Sequence, residues 1–249
     1  MKKFCIMLVL LLSLIMSGCG GKQEPQDLSN TTNTVQEKIS TSGNDRYDIN
    51  KASYAVKNVK INYPQLSNLS DSIKQNKINE LIKTSALEVL DDYKDDINSL
   101  NLNMDFEIKY QGTDFLSIEY LGLAIVKGAA YPVHVLQTAN IDMVKERILV
   151  LSDVVIVNDS FIEKFQAGQY KAYSSDLNLQ SAGVLKDKLS NFNSQDLMES
   201  LKQRSARFYF TKDALGVSVE VAHAAGDHLE MEMPYKDLSG LLLVKPDPK

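Results

Sequence analysis

The chain has 249 residues, 44% of them apolar and 24% charged, with 27 Lys+Arg against 32 Asp+Glu. At roughly 150 residues per domain that length fits one large domain or two small ones, and the apolar share suffices for a buried core. The mildly acidic balance argues against tight nucleic-acid binding, which needs basic patches to neutralise phosphates. Two Cys and three His leave little for a disulfide framework or a multi-ligand zinc site.

Met1-Lys2-Lys3 is a short positive start, and the thirteen residues from Phe4 to Met16 are an almost unbroken apolar run. That run falls short of the roughly 20 residues a membrane-spanning helix needs. Ser17 and Gly18 then lead into Cys19. Charge, apolar run, small residues and cysteine in that order resemble a bacterial lipobox, at which the Cys is acylated and the preceding peptide removed. Residues 1–18 are expected to be a lipoprotein signal peptide and Cys19 the lipidation site; the alternative is a plain signal peptide with a chance Cys. Cys5 leaves with the leader, so no intramolecular disulfide is expected. Residues 19–46 are polar, aperiodic and nearly free of large apolar side chains. They predict an unstructured tether, holding a folded part at the extracellular face of the membrane.

Tyr54, Val56, Val59 and Ile61 predict a strand closed by Asn62-Tyr63-Pro64-Gln65. Ser70-Asp71 starts a helix, on which Ile78, Leu81, Ile82, Ala86, Val89, Leu90, Tyr93 and Ile97 keep 3–4 spacing over about five turns. Its acidic end (Asp91, Asp92, Asp95, Asp96) opposes the helix dipole and predicts fraying there. Leu102 to Tyr110 alternates strictly, Gln111 to Asp114 is a turn, and Phe115 to Val126 is a more apolar strand. Gly128-Ala129-Ala130-Tyr131-Pro132 interrupts the chain before the alternation from Val133 to Asp142, and Ile148 to Leu151 follows a turn at Lys145-Glu146. Ser152-Asp153 caps a helical turn, Asn158-Asp159-Ser160 caps a helix from Phe161 to Tyr173, and Ser174 to Ser205 reads as mainly polar helix. Strands resume at Arg207 to Phe210, Val217 to Val221 and Leu229 to Met233. The order predicts an α+β fold with antiparallel sheets, one long amphipathic helix in the N-terminal half and several shorter helices in the C-terminal half.

The one cluster that invites a metal is His223-x4-His228 with Asp227 and Glu230, and His134 is the third histidine. Zinc takes three or four ligands, so too few soft ligands are present; two exposed loop histidines flanking a turn at Ala225-Gly226 is the favoured reading. No nucleophile elbow, phosphate loop or dinucleotide fingerprint occurs. No catalytic residue, metal or cofactor is expected. Tyr131, Pro132 and His134, an aromatic, a proline and a polar ring at a strand entrance, suit burial against a partner; a loop whose Tyr packs over the sheet edge is the alternative.

The stretch Phe208 to Leu215, then Ala224-Ala225-Gly226, then Glu230 to Leu238 resembles the extracellular domains of the RsiV/PdaC-like family of bacterial cell-envelope proteins. Gly128 to Pro132, Asn140-Ile141-Asp142, Leu151-Ser152-Asp153 and, upstream, Asn62 to Gln65 with Lys77-Ile78-Asn79 are similar too, so the likeness covers Ala52 to Leu242 in order. Where the family carries a longer loop with Pro and Tyr, this chain has the short Val221-Ala222-His223. The resemblance implies an ectodomain with a PdaC-like N-terminal part (47–127) and an RsiV-like C-terminal part (128–249). One branch of the family binds lysozyme as the outer part of an anti-sigma factor; another precedes a peptidoglycan deacetylase. The chain is expected to carry neither a sigma-factor-binding segment before Phe4 nor a deacetylase after Lys249.

The expected function is a Gram-positive cell-surface lipoprotein with a non-catalytic binding module for a protein, such as a lysozyme-like one, or for peptidoglycan. Tyr131, Pro132, His134, His223, Asp227 and His228 are its candidate contact surface. The alternatives are a metal-assisted hydrolase of wall polymers acting through His134, His223 and His228, or a structural envelope lipoprotein whose sheet edges recruit a partner.

Overall fold

The computed structural model describes residues 38–39, 47–172, 177–179, 184–185, 189 and 192–247. The leader, Cys19, most of the expected tether and much of the 174–205 segment lie outside the described residues. What is described is a mixed α+β fold dominated by antiparallel pairing, with one long helix. No helix among the described residues is long and apolar enough to cross a membrane.

A seven-stranded sheet runs in chain order: β1 (Lys38–Ile39), β2 (Asp48–Val56), β3 (Val59–Ser67), β4 (Leu100–Gln111), β5 (Phe115–Val126), β6 (Val133–Asp142) and β7 (Arg147–Ile148). β1 falls inside the stretch expected to be tether and pairs with β2 at Asn50 and Ile49. The single strand expected over Tyr54 to Ile61 is a hairpin instead: β2 and β3 pair from Asp48↔Ser67 to Val56↔Val59. Lys57 turns the chain with φ 54, a conformation the apolar pattern does not announce. β3 also runs through Pro64, which the sequence reading placed in a closing turn. Beyond Ile61 no β4 residue pairs with β3, so on that flank Pro64 leaves no ladder bond unmade.

β3 and β4 are parallel, Val59↔Leu102 to Ile61↔Met104, because helix α1 (Ser72–Leu87) carries the chain back along the sheet between them. Asp71 caps α1 by accepting the N–H of Ile73 and of Lys74. Asn79 clamps the helix to the end of β3, accepting from Leu66 N–H at 2.7 Å and donating to Leu66 C=O at 3.0 Å. The α-helix does not reach Ile97; it tightens to a 3-10 helix over Glu88–Tyr93. Acidic residues crowd its negative pole and its last turn holds no base.

β7 stops at Ile148, short of the expected Leu151, because Asp153 begins a helix. Its carboxylate accepts Val150 N–H at 3.0 Å and Arg147 guanidinium N–H groups at 2.8 and 3.2 Å, opening α2 (Leu151–Val154). Helix α3 (Asp159–Gln166) is capped by Asn158 and ends well before Tyr173. Tyr170 belongs to β8 (Gln169–Lys171). Helix α4 (Ser194–Lys202), β9 (Arg207–Phe210), β10 (Ala214–Glu220) and β11 (His228–Pro234) complete a second sheet, in order β8-β11-β10-β9.

Two apolar cores result. In one, Ile78, Ile82 and Ala86 of α1 meet Leu102, Met104, Ile118 and Tyr120 on one face of the first sheet. In the other, Phe161, Phe165, Leu197 and Leu201 of α3 and α4 meet Phe208, Val217 and Met231 on one face of the second. The remaining faces are polar where they meet. Alternation places Tyr209, Gly216, Ser218, Glu230 and Glu232 together on the second sheet, and β9 lies against β4, β5 and β6. Glu119, Ser117, Asn140, Tyr209, Ser218 and Glu230 are all buried. Tyr209 fits because its strand partner is glycine: a Cβ at Gly216 would stand 2.2 Å from its ring.

Candidate functional site

The residues singled out in the sequence come from two segments 89 positions apart, around His134 and His223, and one carboxylate joins them. β6 opens at Val133 directly after Tyr131-Pro132. On the other side, a 3-10 turn at His223–Ala225 ends at Gly226, φ 101, and Asp227 follows with φ 70. Asp is among the few non-glycine residues that adopt this left-handed backbone. Val221 N–H donates to Asp227 C=O at 2.9 Å, closing the loop.

The Asp227 side chain, 10% exposed, reaches both histidines. Its Oδ2 accepts the backbone N–H of His134 at 2.8 Å and lies 3.0 Å from that ring's Nδ1. Its Oδ1 lies 2.9 Å from Nδ1 of His223. Burial alone would push this carboxyl up, but the His134 N–H, the two imidazoles and the His223 charge outweigh it and hold the pKa below the usual carboxylate range. The Tyr131 ring stacks on His223 with centroids 4.0 Å apart and planes 10° apart. That stack leaves Tyr131 half exposed, a flat aromatic surface over the loop. Pro132 is exposed beside it.

His228 departs from the expected exposed loop residue. It is the first residue of β11 and is buried. Burial first, then the positive charges of His134 and Arg207, lower its pKa to about 4, so the ring is neutral near pH 7.

His134, Asp227 and His228 line a cleft of about 280 Å³ together with Asp92, Tyr93, Gln137, Arg207, Ser218 and Glu220; Tyr131, Pro132 and His223 are not among its lining residues. Arg207 donates to Glu220 Oε1 at 2.9 Å across the sheet. The sequence reading found the histidines, Asp227 and Tyr131 but passed over Arg207, Ser218, Asp92 and Tyr93. Their only signal was alternation or helical spacing, which marks position on a face and not what the face lines. Among the described residues no group of three or more His, Cys, Asp and Glu side chains is arranged to hold a metal ion. The Nδ1 atoms of His134 and His223 are both turned to the Asp227 carboxylate. The cleft offers donors and acceptors of both signs beside aromatic surface, which suits a polar ligand carrying hydroxyl or amide groups.

No family model and no curated protein matches the chain. The solved structures that resemble it include two DUF3298 proteins. A member of the DUF3298 family from Bacteroides fragilis is 13% identical over 87% of this chain and 96% of its own, with a TM-score of 0.49. A DUF3298 family protein from Pseudomonas aeruginosa is 15% identical over 86% of this chain and 94% of its own, with a TM-score of 0.47. The structural neighbours are DUF3298 proteins.

Proposed function

We propose that this chain is a lipid-anchored cell-surface protein of the RsiV/PdaC-like kind, whose folded part binds a protein or peptidoglycan ligand without catalysing a reaction on it. One observation carries the reading. His134, Asp227 and His228 line one cleft, and Asp227 ties it to the Tyr131–His223 stack. Asp227 holds His134 and His223, Tyr131 covers His223, and His228 is kept neutral. Such an arrangement fixes the shape and charge of a surface, which is what recognition needs.

The full chain in detergent, incubated with purified peptidoglycan and separately with lysozyme, tests the reading. Retention by one of them, lost on Tyr131→Ala and weakened by His223→Ala, is expected; indifference of both ligands to both variants overturns this cleft as the contact surface. Stoichiometric zinc that disappears in a His223→Ala/His228→Ala variant would favour the hydrolase instead. Anchoring is tested apart from binding: radiolabelled palmitate is expected to enter the wild type and not Cys19→Ser.

A further inference from the structure

Where the two sheets meet, charge does not balance. The joint buries the carboxyls of Glu119 and Glu230, and the nearest cation is Lys109, whose Nζ lies 3.2 Å from Glu119 Oε2 and 3.3 Å from Glu107 Oε2. Lys109 also sits over the Tyr209 ring, 4.5 Å from its centroid. The Tyr209 hydroxyl has one proton but two carboxyl neighbours, Glu230 Oε2 and Glu232 Oε1, each at 3.1 Å. Lys171 answers Glu232, at 3.3 Å. Among the described residues no amide, ammonium or hydroxyl donor reaches Glu119 Oε1. The other buried carboxyl of this cluster is Glu230, which Tyr209 joins to the same Lys109 that meets Glu119. Two carboxyls hydrogen-bond only when one of them carries a proton.

We infer that a single proton, carried by Glu230 and shared with Glu119, fastens the two sheets together, and that its release loosens the joint. Every charged group around the pair fits this count. β4 supplies Glu107 and Lys109, β8 supplies Lys171, and β9 supplies Tyr209 and Arg207, the latter already held by Glu220. On β11, His228 is uncharged and its Nε2 is 3.7 Å from Glu230 Oε1. One ammonium therefore serves two buried carboxyls, and the proton removes the excess negative charge. Burial first, then the Glu119 charge and hydrogen bond, raise the Glu230 pKa to about 8, against the opposing effects of Tyr209 and Lys109. The walls of the cleft come from both sheets, Gln137 and His134 from one, Arg207 and Ser218 from the other, so a looser joint is a looser cleft.

Infrared titration of the full chain reads the proton directly. Between about pH 6 and the midpoint, where ordinary carboxyls are ionised, a protonated-carboxyl C=O band is expected that disappears around pH 8 and is absent from that range in Glu230→Gln. The folded state holds a proton that the unfolded chain releases, so the unfolding temperature should fall as pH rises toward that midpoint and level off above it. In Glu230→Gln, whose amide donates to Glu119 without titrating, that fall should vanish. Should Glu230→Gln fail to fold, Glu119→Gln serves: removing the neighbouring charge must move the band's midpoint to lower pH. Absence of the band from the wild type below the midpoint, or its persistence unshifted in both variants, overturns the inference.

Discussion

Asn140 donates its side-chain amide to the main-chain carbonyl of Phe208 at 2.6 Å, joining residues 68 apart in sequence. Ser117 Oγ lies 2.5 Å from Asn140 Oδ1 and accepts Phe210 N–H at 3.0 Å, while Thr138 Oγ1 accepts Phe208 N–H at 3.2 Å. β9 is an edge strand of its sheet, and three side chains of the other sheet take the place of a further strand. An open edge is satisfied and two halves are registered by the same bonds.

Asn140→Ala is therefore expected to destabilise the fold by about 1–3 kcal/mol, because it strands the buried Phe208 carbonyl without a donor. Asn140→Asp should cost more, since a carboxylate would face that carbonyl. Urea unfolding of the variants beside the wild type measures both.

Gly216→Ala is expected to lose about 1–3 kcal/mol through overpacking. The added methyl would stand within 2.7 Å of three Tyr209 ring atoms, and the ring has nowhere to go, fully buried with Lys109 on it. A Gly216→Ala/Tyr209→Leu double variant should recover part of the loss in thermal unfolding, a coupling that independent sites would not show.

Acid should act through His228. Its folded pKa, about 4 against an ordinary 6.5, means the unfolded chain takes up a proton that the folded chain refuses. The contribution is whole above the unfolded value and is lost as pH falls from 6.5 toward 4. The shift corresponds to about 3 kcal/mol. Unfolding free energies measured across that window should fall less steeply in His228→Asn, whose side chain does not titrate.

Asp227→Asn and Asp227→Ala separate charge from backbone. Both remove the carboxylate that joins His134 and His223, so both should broaden the histidine ring resonances in NMR spectra and weaken ligand retention. Alanine also meets the φ 70 backbone, which Asn tolerates, and is expected to cost about 1 kcal/mol more.

Alternation and turn residues placed β4, β5, β6, β9 and β11 within a residue or two of where they lie, because each of these strands buries at least one face and period two records it. The hairpin turn at Lys57 and the early end of α1 escaped, since both are decided by backbone conformation and dipole and not by apolar spacing. The candidate site was legible as a list of residues: Tyr131, His134, His223 and His228 stand out as aromatic and polar rings, with the Asp227 carboxylate among them, at turns in a chain with three histidines. That one carboxylate gathers them was not legible, nor that His228 is buried.

By itself, then, the sequence determined β4, β5, β6, β9 and β11 and their polar faces, since side-chain chemistry and period are local properties. Only the tertiary structure decided that the polar face of β9–β11 turns inward. Glu230 and Glu232 alternate with Met231 just as solvent-facing residues would, and nothing near them in the chain announces Glu119 or Lys109. Those partners belong to strands more than a hundred residues upstream. Whether a carboxyl meets water or another carboxyl depends on how the two sheets dock.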